Sequence, residues 1–419
     1  MMDAKYMKKM IKFRDYQEDI IQRGAKVISD HGFLYLAMEV RTGKTLTSLG
    51  IVDKVGAVNA LFITKKKAMQ SIIEDYDNLK PRFPLYVINY ESLHKLPKLT
   101  WDMVICDEAH TMGAFPKPSK RAKQVRDIVR DCNSKVILLS GTPTPESFSQ
   151  MYHQVYSITT NPFSHHKSFY KFASEFVNVF QRKIGSHMIN DYSRGSTKIL
   201  DVMQPYMISY SQKEAGFKVE TKETVLHCAM SRETYNLANR LKKDLVVEGS
   251  EEVILADTAV KLMSKLHQIY SGTIKFESGN SMVMDLSKGQ FIKKKFEGKK
   301  IGIFYKFKEE LNVLKKVYKD SLTTDLEEFN TTDKNIALQI VSGREGISLR
   351  QADCLVFFNI DFSATSYWQA RDRMSTKDRL HNQVYWIFSI DGIESDIYKA
   401  VSKKKNYTVR HFKREFLNL

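Results

Sequence analysis

Short apolar runs recur through the first third of the chain: Phe33–Ala37, Ala60–Ile63, Tyr86–Ile88, Met103–Cys106 and Val136–Leu139. Each is bounded by charged or turn residues and reads as a buried strand. The polar-apolar stretches 45–54 and 66–78 between them have room for helices. Continuous apolar strands alternating with helices predict a mostly parallel sheet covered on both faces.

The same pattern returns later in Ile301–Phe304, Ile336–Val341, Cys354–Phe358 and Val384–Phe388. A second α/β lobe is therefore expected. Between the two patterns, 161–223 is rich in Ser, His, Phe, Tyr and Lys and reads as a helical insertion with a linker. The expected organisation is α/β: a first lobe over 1–160, the insertion over 161–223, a second lobe over 224–400 and a basic tail over 401–419. Glu277–Asn280 reads as the turn of a hairpin. Phe169, Phe172, Phe176 and Phe180 recur at helical spacing, which favours a packed face over base stacking.

Composition narrows the partners. The 419 residues suit two or three domains. A 42% hydrophobic share excludes a disordered chain, and 65 Lys+Arg against 48 Asp+Glu leave a net charge of +17. That surplus calls for a polyanion, with nucleic acid ahead of an anionic membrane surface. No apolar run approaches the roughly 20 residues of a membrane span, and Met1–Lys12 lacks the apolar core of a secretory signal. The four cysteines are scattered, without a CxxC pair, so neither a disulfide framework nor that type of zinc site is expected. His165–His166 shows no partner at metal-ligand spacing. These features together describe a protein of a reducing compartment, expected in the cytoplasm.

Chemistry concentrates at two places. Arg41-Thr42-Gly43-Lys44-Thr45 follows one strand and opens a helix. Backbone N–H groups and the helix N-terminus there suit a phosphate chain, with Lys44 reaching β/γ-phosphates and the Thr45 hydroxyl taking a position on Mg²⁺. The full phosphate-loop pattern wants Gly where Met38 stands, so only its core is present. Asp107-Glu108-Ala109-His110 follows another strand. Acids at that end of an open α/β sheet sit where ligands bind, Asp107 to hold Mg²⁺ and Glu108 to deprotonate the attacking water.

Asp107–His110 resembles the DEAH-type motif II of superfamily 2 helicases. Ser140-Gly141-Thr142-Pro143 resembles motif III, and Phe13-Arg14-Asp15-Tyr16-Gln17 the adenine-recognising Q-motif of the SNF2-like branch. Leu61–Lys65 and Val87–Leu93 are similar to motifs Ia and Ib, Lys300–Phe307 to motif IV, Ser342–Leu349 to motif V and Gln369–Arg373 to the start of motif VI. The order is that of the family, over about residues 11–400. The resemblance implies two tandem RecA-like lobes and a DNA-dependent ATPase of the helicase or translocase type, using ATP and Mg²⁺. Arg14 and Gln17 would read adenine, and Arg41, Thr42, Gly43, Lys44, Thr45 and Gly346 would hold the nucleotide. Arg373 would reach the γ-phosphate from the second lobe. Thr64, Lys65, Lys66, Tyr90, Ser92, Lys306, Ser342 and Arg344 would grip the DNA backbone.

The chain departs from the family pattern at Thr376, where a second arginine of motif VI is usual; Arg371 and Arg379 are the substitutes at hand. Its compactness resembles bacteriophage members that migrate branched DNA. That implies forked or branched duplex as partner, a monomer when loaded on DNA, no membrane, no small-molecule substrate besides ATP, and a bacterial host cytoplasm. An RNA-directed helicase and a weakly hydrolysing, nucleotide-dependent binding module are the alternatives. The clusters Lys293–Lys295 and Lys403–Lys405 are further candidate phosphate contacts.

Overall fold

A computed structural model describes residues 12–184, 187–216, 220–249, 251–340, 349–363, 366–367, 371 and 381–403. The chain forms two compact units, Met1–Phe217 and Lys218–Leu419. Each is built on a six-stranded parallel sheet flanked by helices, the pair of RecA-like lobes that was expected.

In the first unit the strands are β1 (Phe33–Met38), β2 (Ala60–Thr64), β3 (Leu85–Asn89), β4 (Met103–Cys106) and β5 (Lys135–Leu139). All five expected runs are strands. Their central members are sealed on both faces, which is why they read as unbroken apolar runs rather than alternating ones. A hairpin of β6 (Phe180–Ile184) and β7 (His187–Asp191) follows, then β8 (Met207–Tyr210). The sheet order is β3-β2-β4-β5-β1-β8. Helices α1 (Asp15–His31), α2 (Lys44–Val55), α3 (Met69–Leu79) and α4 (Lys120–Cys132) cover its faces.

The segment expected as a separate helical insertion is assigned differently. Residues 161–217 belong to the first unit. Only part is helical, at Phe169–Phe176 and Lys198–Met203, and β8 adds a sixth strand beside β1. Edge position explains the missed strand, because one side of β8 is unpaired and its residues alternate in burial. Phe169, Phe172 and Phe176 pack into the core as expected, whereas Phe180 has left the helix and lies 3.9 Å under the Arg194 guanidinium.

The second unit opens with β9 (Glu220–Cys228). Two small hairpins follow, β10 (Val246–Glu248) with β11 (Val253–Leu255) and β12 (Thr273–Lys275) with β13 (Ser281–Val283), the latter around the expected turn. The main strands are β14 (Ile301–Tyr305), β15 (Leu322–Thr323), β16 (Asn335–Gln339), β17 (Cys354–Phe357) and β18 (His381–Ser389), in the order β15-β16-β14-β17-β18-β9. β9 comes first in this unit yet pairs at the far edge, Glu220 facing His381 through to Cys228 facing Ser389. Lys288 and Glu394 form a fully enclosed ion pair at 2.8 Å behind this sheet. Cys106, Cys228 and Cys354 are buried, and no described helix is long and apolar enough to cross a membrane.

Candidate functional site

Strand order decides where the motifs meet. β2, β4, β5 and β1 are consecutive neighbours, and all run in one direction. Their C-terminal ends therefore place Thr64–Lys66, Asp107–His110, Ser140–Thr142 and Glu39–Thr45 side by side. Open α/β sheets bind ligands along this edge.

The loop after β1 is shaped by two left-handed residues, Arg41 (φ 65°) and Gly43 (φ 83°). At Gly43 a Cβ would lie 2.4 Å from Gln17 Nε2, so only glycine lets the α1 side chain approach. The first N–H groups of α2, beginning at Lys44, have no acceptor one turn earlier in the helix and are oriented for an anion. Thr42 donates from Oγ1 to Glu39 O at 2.7 Å, and Lys44 Nζ donates to the same carbonyl at 3.4 Å.

Gln17 is 3% exposed. Its Oε1 accepts Arg14 N–H at 3.0 Å, and its Nε2 donates to Gly43 O at 3.4 Å and Thr47 Oγ1 at 3.3 Å. Gln17, expected as an adenine reader, braces the 39–45 loop through these contacts. Arg14 donates to Tyr16 OH at 2.7 Å, and that hydroxyl donates to Thr42 O at 3.1 Å. Sequence reading missed the buttress on the other side. Gln212 donates from its N–H to Glu39 Oε2 at 2.7 Å and from Nε2 to Val40 O at 2.9 Å, and Tyr210 stacks on Tyr16 at 4.7 Å. These partners lie more than 170 positions apart in the chain, and no local pattern announces them.

Across the sheet edge, Asp107 accepts a hydrogen bond from Thr64 Oγ1 at 2.8 Å. Burial, then the charge of Glu108, pushes its carboxyl up to about 6, against the pull of Lys44 and the Thr64 hydroxyl. Glu108 sits in the left-handed region, φ 49° and ψ 45°. His110 Nδ1 lies 3.3 Å from Glu108 Oε2 and 3.0 Å from Ser140 Oγ. With its proton on Nδ1, His110 can donate to the Glu108 carboxylate, which only accepts. Ser140 Oγ also accepts Thr142 N–H at 3.1 Å, tying the end of β5 to the acid pair.

Several residues expected at DNA are engaged within the protein. Thr64 is fully buried and serves Asp107. Tyr90 is 1% exposed, donates its hydroxyl to Asp107 O at 2.7 Å, and carries the Arg121 guanidinium 5.3 Å over its ring. Both are sheltered because the strand ends that bear them are covered by the turns that follow. In the second unit Lys306 is 14% exposed, ion-paired with Asp361 and 4.3 Å over the Phe362 ring. Burial raises the Asp361 carboxyl, but Lys306 and the surrounding hydrogen bonds outweigh it and hold it below the ordinary carboxylate value. Lys66 is exposed, and Lys65 and Ser92 are half-buried, at the same edge as Asp107.

Arg371, one substitute for the missing arginine, donates to Glu223 Oε1 at 3.2 Å. The other Glu223 oxygen accepts from Tyr367 OH at 2.6 Å and Trp386 Nε1 at 2.9 Å. Arg371 is thus spent on fastening β9. Ser342, Arg344, Gly346, Arg373, Arg379, Lys404 and Lys405 lie outside the described residues. His165 and His166, expected to lack a metal-spaced partner, gain one through the fold. Their ring nitrogens and a Glu175 carboxylate oxygen fall within 4.8 Å of one another, with His166 Nε2 bonded to Glu175 at 2.8 Å.

Comparison with known proteins places these features in a wider group. A profile described as the SNF2-related domain matches residues 54–275, just over half of the chain. The ATP-dependent helicase BRM of Arabidopsis thaliana is 22% identical over 246 residues, covering 55% of this chain and 10% of that protein. A probable ATP-dependent helicase of Plasmodium falciparum is 23% identical over 158 residues, covering 36% of this chain and 7% of its own length. The chain thus spans a tenth or less of both relatives. Among solved structures, the Sulfolobus solfataricus SWI2/SNF2 ATPase core in complex with dsDNA superposes with a TM-score of 0.43 at 16% identity, over 94% of this chain and 91% of that one.

Proposed function

The chain belongs to the SNF2-related domain family, and from that premise we propose that it is an ATP-hydrolysing motor that moves on DNA. The observation that carries this reading is the convergence of four strand ends. They bring the loop at Gly43–Thr45 to the same edge as Asp107, Glu108 and Ser140, with Lys44 close enough to act on the Asp107 charge.

The residues fit MgATP. Two crowded carboxylates, one pushed up to about 6, call for a cation, and the Gly43 turn leaves backbone N–H groups for phosphate. In this reading Lys44 and the start of α2 bind the β- and γ-phosphates, and Thr45 and Asp107 hold Mg²⁺. The ion supplies neutralising charge on the transferring phosphoryl group. Glu108 takes the proton of the attacking water, and His110, protonated on Nδ1, orients that carboxylate. The Ser140–His110 contact would report nucleotide state to the end of β5. Arg373 is proposed to complete the site, since Glu223 already holds Arg371.

Lys65, Lys66, Ser92, Ser342 and Arg344 are the proposed backbone contacts to DNA. The finer role we propose is remodelling of forked or branched duplex by branch migration. Its supports are the net charge of +17 and the motif order of residues 11–400.

ATP turnover measured with duplex, forked, Holliday-junction, single-stranded DNA and RNA tests the whole reading. Lys44→Ala and Glu108→Gln should each lower DNA-stimulated kcat by about 10³-fold or more while DNA is still bound at low salt. Stimulation by RNA alone would transfer the reading to an RNA-directed helicase. Full turnover in both variants would remove the site.

A further inference from the structure

One cavity of the first unit lies away from the motif edge. It encloses about 820 Å³ at the opposite end of the sheet, where Gly32 precedes β1 and Lys135 opens β5. A strand of the length of β1 separates it from the 39–45 loop by about 20 Å. Four cations line it, Arg126, Arg130, Lys135 and Lys167, and no carboxylate does among the described residues. Arg126 is partly neutralised by Asp127 at 2.7 Å and stacks 5.3 Å over Tyr156, while Lys135 and Lys167 form no described ion pair.

Two further lining residues carry a buried polar atom without a hydrogen-bond partner among the described residues. These atoms are the Tyr156 hydroxyl and His166 Nδ1, and His166 is 8% exposed. Buried polar atoms are normally satisfied, so two orphans in one cationic cavity point to a missing partner. The volume is that of an organic-ligand site and exceeds the need of a bare phosphate. Tyrosine side chains beside the cations suit a base attached to that phosphate.

We propose that this cavity binds a nucleotide phosphate, either as a free nucleotide or as one unit of a strand, at a site separate from that for ATP. The proposal stands whether or not the protein is a DNA motor.

Thymidine 3′,5′-bisphosphate lacks adenine and is a suitable probe; an eight-residue oligo-dT is the strand counterpart. Each is titrated calorimetrically into the full chain saturated with ADP and Mg²⁺. Two variants are compared with the parent: Lys135→Glu/Lys167→Glu, which inverts charge at positions without described ion pairs, and Ser164→Trp, which fills the exposed rim without changing charge. Circular dichroism melts identify folded protein.

Binding of the bisphosphate, weakened at least about tenfold by either folded variant, supports the site, since two charge-assisted contacts are worth more than that factor. Equal loss for oligo-dT assigns it to a strand, and loss for the bisphosphate alone assigns it to a free nucleotide. No binding of either probe, or binding unchanged in both folded variants, overturns it. ATP turnover on linear duplex is expected to be unchanged in both.

Discussion

Asp107 sits in an environment unlike that of a free side chain. Its carboxyl, ordinarily near 3.8, is pushed up to about 6 by burial and by Glu108. The folded protein therefore holds this proton more tightly than the unfolded chain does. The stabilisation is complete below pH 4 and is lost as pH rises to about 6, beyond which the Asp107 contribution is flat. Asp107→Asn should remove that slope from thermal melts between pH 4 and 7 and raise the melting temperature at neutral pH. A slope of equal size in the variant would refute the placement. Thr64 gives a second test. Thr64→Val removes one hydrogen bond to Asp107, worth about 1 kcal/mol, and should depress ATP turnover while leaving DNA affinity unchanged. Weaker DNA binding at undiminished turnover would restore Thr64 as a strand contact. Lys66→Glu should show the converse pattern.

The elements differ in how openly the sequence announces them. Strands β1, β2, β4, β5, β14 and β17 are sealed on both faces, and burial forces an apolar run that can be read without a structure. Edges escape that rule. β8 and β9 carry polar residues on one face, and β9 reads Glu-Thr-Lys-Glu-Thr before any apolar residue. The site was legible in the same uneven way. Lys44, Asp107 and Glu108 follow buried strands at motif spacing, but Gln212 and Tyr210 reach the loop only through β8. Thr64, Tyr90 and Lys306 bear the right residue types at the right positions, and only packing shows that carboxylates already hold Thr64 and Lys306 and that the Asp107 backbone carbonyl holds Tyr90. Glu223 is the element-scale hinge of the second unit, accepting from Tyr367, Arg371 and Trp386. Glu223→Ala should cost on the order of 3 kcal/mol, because it removes the acceptor shared by Arg371, Tyr367, Trp386 and Tyr398. Chemical denaturation should record that loss; a change below 0.5 kcal/mol, about the scatter of surface substitutions, would contradict it.

At the scale of the molecule, the +17 charge predicts how DNA binding should respond to salt. Each phosphate neutralised steepens the dependence of log affinity on log salt by roughly 0.9 for duplex. Lys66→Glu should flatten the slope by about one contact, whereas Thr64→Val should leave it unchanged. Equal slopes in the parent and Lys66→Glu proteins would remove Lys66 from the interface. The pairing of β9 with β18 has a consequence during synthesis. At about 5–20 residues per second, the 152 residues between Cys228 and His381 keep the ribosome busy for roughly 8–30 s. Throughout that interval the first unit already has all six strands of its main sheet, while β9 has emerged without β18, its pairing partner among the described strands. A nascent chain stalled before residue 381 therefore carries a finished lobe and an orphan strand edge, the state most exposed to chaperones and to aggregation.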